Sequence, residues 1–220
     1  MNENDTPKLS AKELLVPLKD VAMDYAELGI DAISNDGILK EIPLIRSVAA
    51  FFALGNKIHD KHVERQIHRF LVALNANEIP AEKLAAHRQR FDDNPKQAEK
   101  ELHLVLITLD RSTEEEKAVF YGKLYRAYLM GKVDFDRFSE LVEVVNRLFL
   151  QDVHILQHLR FNPAIGVRAE SYQFSRLISI GLCATSESQL RQSTAILGGG
   201  YHLTILGKTL IDLIGQYDLL

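Results

Sequence analysis

A single cysteine, Cys183, excludes an intrachain disulfide and suits a reducing cytoplasm. No uncharged apolar run approaches the roughly 20 residues of a bilayer-spanning helix. The opening residues Asn2, Glu3, Asn4, Asp5 and Thr6 lack the basic-then-apolar order of a secretory signal. Positive charge is not in excess either: 26 Lys and Arg against 30 Asp and Glu leave a net charge of -4. That gives no general pull toward nucleic acid or anionic lipid. These absences point to a cytoplasmic protein without a transmembrane segment, and leave contact with a membrane surface open.

Catalytic and metal signatures are also lacking. Gly198, Gly199 and Gly200 are not followed by Gly-Lys-Ser/Thr, and no dinucleotide pattern occurs, so the run reads as a hairpin turn. His59 with His62, and His154 with His158, are spaced to share a helix side. Asp60 and Ile155 stand where the metalloprotease pattern needs glutamate. The acidic row Asp20, Asp24, Glu27, Asp31 comes without any Glu-x-x-His spacing, which carboxylate-bridged metal sites use. No nucleophile elbow appears, and Cys183 reads as a buried, inert thiol. The expectation is a non-enzymatic protein without catalytic, cofactor-binding or metal-binding residues, and without a cofactor.

The 46% hydrophobic and 25% charged residues are ordinary for a globular protein. A length of 220 residues can bury a core without disulfides or metals. The organising stretch runs from Pro43 to Asn75. Leu44, Val48, Phe51, Phe52, Ile58, Val63, Ile67, Phe70, Leu71 and Leu74 recur at helical steps. No charge falls between Ser47 and Asn56, so Phe51 and Phe52 are candidates for an apolar anchor in a core or an interface. Lys57, Lys61, Arg65 and Arg69 fall at four-residue steps and form a candidate contact stripe. Its competing readings are a solvated face, or a face paired with the acidic row of the first helix.

Other helices announce themselves by their ends. Ser10 with Glu13 and Ser112 with Glu115 have capping-box spacing. Asn94 before Pro95, and Asp134 before Phe135, fit helix starts. Gly131 and Gly181 fit helix stops. One helix is expected from Phe135 to Leu159. A short one is expected from about Arg168 to Ile180, then strands at Leu182–Ser186 and Tyr201–Leu203, then a helix at Ile205–Ile214 capped by Thr204. The expected fold is mostly α, with about six to eight helices and a small C-terminal two-stranded hairpin. Residues 1–9 are expected to be disordered, 10–162 to form a helical domain, and 163–220 a small α/β tail packed on it.

Two resemblances attach to these residues. The tail order Leu177, Ser179, Gly181, Leu182, then Tyr201, His202, Leu203, Thr204, Leu206, Gly207 and Leu210 resembles the wing of winged-helix regulators. There a threonine caps the closing helix. Five basic residues against four acidic ones from Arg160 onward make this a weakly charged wing. The stretch Asp31, Ala32, Ile33, Asn35, Asp36, Gly37, Ile38, Leu39, Lys40, Glu41, Ile42, Pro43 and the apolar helix after it look like uncharacterised bacterial proteins grouped with abortive-infection systems. That resemblance implies a cytoplasmic bacterial or phage protein in phage defence, without a site residue to carry over. The functional expectation is an effector-type protein acting through a protein partner or self-association. The alternative is a nucleic-acid-binding regulator that uses the wing.

Overall fold

A computed structural model describes residue 42 and residues 61–162, 169–185 and 200–215. Among them the fold is mostly α: eight α-helices and a two-stranded antiparallel hairpin. The helices are α1 (Lys61–Asn75), α2 (Ala81–Asp93), α3 (Pro95–Arg111), α4 (Glu115–Leu129), α5 (Phe135–Arg147), α6 (Val153–Phe161), α7 (Ser171–Ser179) and α8 (Ile205–Ile214). The strands are β1 (Cys183–Thr185) and β2 (Tyr201–Leu203). The protein divides into two compact units, Met1–Glu115 and Glu116–Leu220. The expected seam near Asn162 lies inside the second unit, where β2 and α8 both pack on α6.

In the first unit α1 and α2 both pack on α3. The α1 stripe turns Val63, Ile67, Phe70, Leu71 and Leu74 inward. Each such side chain, once buried, contributes roughly 2 kcal/mol of transfer free energy. Leu84, His87 and Phe91 of α2 meet Ala98, Leu102, Val105 and Leu109 of α3 in the same core. The Asn94 side chain accepts a hydrogen bond from the Gln97 amide at 3.2 Å, with Pro95 first in the helix. This is the start that the Asn-Pro pair announces. His87 Nε2 and Glu101 Oε1 lie 2.7 Å apart, both buried, and join α2 to α3.

In the second unit, aromatic rings join α4 to α5. Tyr125 meets Phe138 edge-on at 5.6 Å, and Tyr128 stacks on Phe138 at 5.5 Å. Gly131, at φ 73, lets α4 close with Lys132 N donating to Ala127 O. The Asp134 side chain accepts from Arg137 N at 2.8 Å and opens α5. Buried Lys117 donates to Asn146 O, which places a cation at the negative end of α5.

The single helix expected from Phe135 to Leu159 is interrupted. Leu148 and Phe149 are extended, and a 3-10 turn at Leu150–Asp152 leads into α6. The break sends Leu148 into the core, Phe149 outward and Asp152 back inside. Helical periodicity alone cannot register it, because apolar residues continue at compatible spacing and neither Gly nor Pro intervenes.

The tail follows its sequence signals closely. Gly181, at φ 77, ends α7, and Leu182 N donates to Leu177 O. In the hairpin Cys183 pairs with Leu203 and Thr185 with Tyr201. Thr204 Oγ1 accepts from Gly207 N at 3.0 Å and donates to Gly181 O at 2.6 Å. One threonine therefore caps α8 and ties it to the end of α7.

Candidate functional site

The contact stripe is described only in part. Phe51, Phe52 and Lys57 lie outside the described residues, as do Asp20, Asp24, Glu27 and Asp31. Lys61 is described only as the first residue of α1. Arg65 and Arg69, one turn apart, converge on one carboxylate. Arg65 Nε lies 2.5 Å from Glu115 Oε1, and Arg69 Nε 3.3 Å from Glu115 Oε2. His62 Nδ1 approaches the same group at 3.5 Å. These two arginines are thus engaged within the first unit rather than facing solvent alone.

Ser112 does not form the expected capping box. It ends α3, its hydroxyl donates to Glu114 O, and its carbonyl is bonded by the buried Gln66 side chain. Because α4 begins at Glu115 itself, that carboxylate is free to reach α1. The Arg65 hydrogen bond holds Glu115 below its ordinary value of 4.5, assisted by the charges of Arg65 and Arg69. A lowered folded-state pKa stabilises above the unfolded value, and that contribution fades as pH falls through the folded one. Acid titration of stability should therefore show a loss below about pH 4.5 that Glu115→Gln removes.

Of the histidine pairs, His59 lies outside the described residues. His62 is held in the Ser112–Glu115 corner, His68 and His154 are exposed and His158 is half-buried. Among the described residues no three His, Cys, Asp or Glu side chains come together as an ion site. Burial pushes the Cys183 thiol up to about 12, as its apolar strand led one to expect.

A different cluster stands out in the second unit. Asp152 is 1% exposed. Its Oδ1 accepts from Gln173 Nε2 at 2.9 Å and from Arg176 Nη2 at 2.8 Å. The Arg176 guanidinium lies 4.2 Å from the ring centre of Phe149 and 5.0 Å from that of Tyr172. Both rings are half open to solvent, at 50% and 57%. The helix phase explains the arrangement. Phe174 and Leu177 point inward from α7, which turns Tyr172, Ser175 and Ile178 outward and sets Arg176 at the margin.

Ile178 O accepts from Gly181 N, and Gly181 O accepts from Thr204 Oγ1. Ile178 is itself exposed, as is Ile205, 78% exposed at the start of α8. Two exposed aromatic rings, Phe149 and Tyr172, thus lie against one buried-anchored arginine. Aromatic residues and arginine are the types enriched at protein interfaces and their energetic centres. Sequence spacing singles out none of this cluster. Asp152 and Arg176 are 24 residues apart, and no local period links them.

The outward side of α7 carries Glu170, Ser171, Tyr172, Ser175, Ile178 and Ser179. Its one basic residue, Arg176, is tied to Asp152. Among the described residues no helix is long and apolar enough to cross a membrane. Comparison of the sequence and structure with protein-family models, curated sequences and solved structures finds no match.

Proposed function

We propose that this is a non-enzymatic effector-type protein of bacterial or phage origin, cytoplasmic, that serves phage defence by contacting a protein partner. The observation carrying the protein-contact reading is the pair of exposed rings, Phe149 and Tyr172, against Arg176, with Ile178 and Ile205 also exposed on α7 and α8. Large side chains clustered in the open are costly to leave in water and are used where another surface covers them. The abortive-infection resemblance of residues 31–43 supplies the defence setting.

The test is infection of a bacterial host expressing the protein. Wild type should lower plaque formation by at least one phage of a panel. The double variant Tyr172→Ser/Ile178→Ser should restore plaques. Both positions are exposed, so thermal unfolding should stay within about 2 °C of wild type. A double variant that protects as well as wild type would remove this face from the function. Absence of protection by wild type would remove the defence setting.

A second reading, a nucleic-acid-binding regulator, is favoured by the order α7, hairpin and Thr204-capped α8. It is disfavoured by the outward side of α7, which carries Glu170 and whose one basic residue is tied to Asp152. Size exclusion with light scattering, with and without duplex DNA at low and moderate salt, separates the two. A shift that weakens steeply with salt would promote the regulator, since phosphate contacts release counterions.

A further inference from the structure

We infer that Arg65 and Arg69 form an oxyanion site on α1 that takes a phosphate monoester. The site lies in the first unit and owes nothing to the α7 face. The two guanidiniums meet at Glu115: Arg65 Nε lies 2.5 Å from Oε1, and Arg69 Nε 3.3 Å from Oε2. Two cations thus share one anion, which leaves one positive charge uncompensated in the trio. A guanidinium has five N–H donors, and each arginine turns only its Nε toward Glu115. The Nη groups of both make no hydrogen bond among the described residues. Both side chains are open to water, Arg65 at 56% and Arg69 at 43%, whereas Glu115 is 19% exposed. Glu114 and Glu116 flank Glu115 in the chain, but among the described residues neither pairs with either arginine.

Exposed arginines elsewhere are matched one to one. Arg137 pairs with Glu140 at 2.5 Å and Arg147 with Glu143 at 2.6 Å, each on its own helix. Those pairs are neutral, and the α1 pair is not. Glu115 already shows that one oxyanion reaches both guanidiniums. A phosphate monoester carries a charge of about -1.5 to -2 at neutral pH and three acceptor oxygens. It can therefore accept from the Nη edges of both arginines while Glu115 keeps both Nε groups. A carboxylate has two oxygens, and a single guanidinium fills them in a forked pair. Glu115 also holds the two arginines together before a ligand arrives, so less side-chain entropy is lost on binding. Its charge, with those of Glu114 and Glu116, opposes a second anion, and water screens half-exposed groups. Binding at roughly millimolar phosphate is the scale expected.

The experiment is arginine modification by phenylglyoxal on the full-length wild-type protein, read site by site by mass spectrometry, with inorganic phosphate as the probe. Phosphate should slow modification of Arg65 and Arg69 together by about fivefold or more, saturating near millimolar concentration. Sodium chloride at equal ionic strength should not. Arg147, 64% exposed and paired one to one, should react at the same rate throughout. The rise in unfolding temperature that phosphate gives wild type should vanish in Arg65→Gln/Arg69→Gln. The protection measurement uses wild type, so it stands even if that variant loosens the fold. Phenyl phosphate and a short phosphoserine peptide distinguish the two sources of the group, a small phosphate ester or a modified side chain, by which protects at the lower concentration. No protection, protection of one arginine alone, protection that follows ionic strength, or equal protection of Arg147 would overturn the site and leave an adventitious ion only.

Discussion

Gly207→Ala should destabilise the second unit by about 3 kcal/mol or more, beyond the usual cost of a small overpacking change. A Cβ at position 207 would lie 2.2 Å from Leu182 O and 3.1 Å from its carbonyl carbon. The obstacle is backbone, and it is held from several sides. Leu182 N donates to Leu177 O, and Leu182 O accepts from Thr204 N at 3.1 Å. Moving it aside gives up the Thr204 contact that seats α8, so the clash converts into lost hydrogen bonds. Gly215→Ala is the matched control. Its φ of 71 and ψ of -166 lie in a region that is essentially glycine's alone, but nothing lies within 4 Å of an added Cβ, so backbone strain of about 1–3 kcal/mol without a clash is expected. Denaturant midpoints of both variants check this. Gly207→Ala within about 1 kcal/mol of wild type would contradict the close packing of α8 on the Gly181–Leu182 turn.

Asp152→Ala should cost roughly 3 kcal/mol, in the range for breaking a buried ion pair from one side. The substitution removes the acceptor of both Gln173 and Arg176 and leaves a guanidinium charge lodged between two rings. Asp152→Asn keeps shape and one carbonyl acceptor, and should cost less, about 1–2 kcal/mol. The double variant Asp152→Ala/Arg176→Met should recover part of the Asp152→Ala loss, because no uncompensated charge remains. Equilibrium unfolding of these proteins together with Arg176→Met closes the cycle and gives the coupling directly. A double variant no more stable than Asp152→Ala would mean that the pair is not what holds α7 to the Leu150–Asp152 turn.

Much of this architecture was legible because its signals are local. Asn94-Pro95, Asp134, Gly131, Gly181 and Thr204 each mark a helix end through a contact within a few residues, and each stands where its chemistry placed it. The hairpin was legible for the same reason. What escaped depends on partners far along the sequence. The Leu148–Asp152 break has no Gly or Pro to announce it. It is stabilised by Gln173 and Arg176, two helices' worth of sequence later. Ser112 resembles an N-cap by spacing, yet its carbonyl is bonded from α1, so α4 starts later and frees Glu115 for Arg65 and Arg69. A stripe read from spacing alone reports which side of a helix a charge occupies, not what waits opposite it. The Phe149–Arg176–Tyr172 cluster combines both blind spots, an unannounced break and a long-range ion pair.

Photo-crosslinking in cells, with Tyr172 replaced by p-benzoylphenylalanine, reads out whether another protein covers the α7 margin when the protein works. His103, exposed on α3, serves as the comparison position. A discrete adduct from position 172, missing from position 103 and lost when Ile178 and Ile205 are changed to serine, is the predicted result. No adduct from position 172, or the same adducts from both positions, would contradict it.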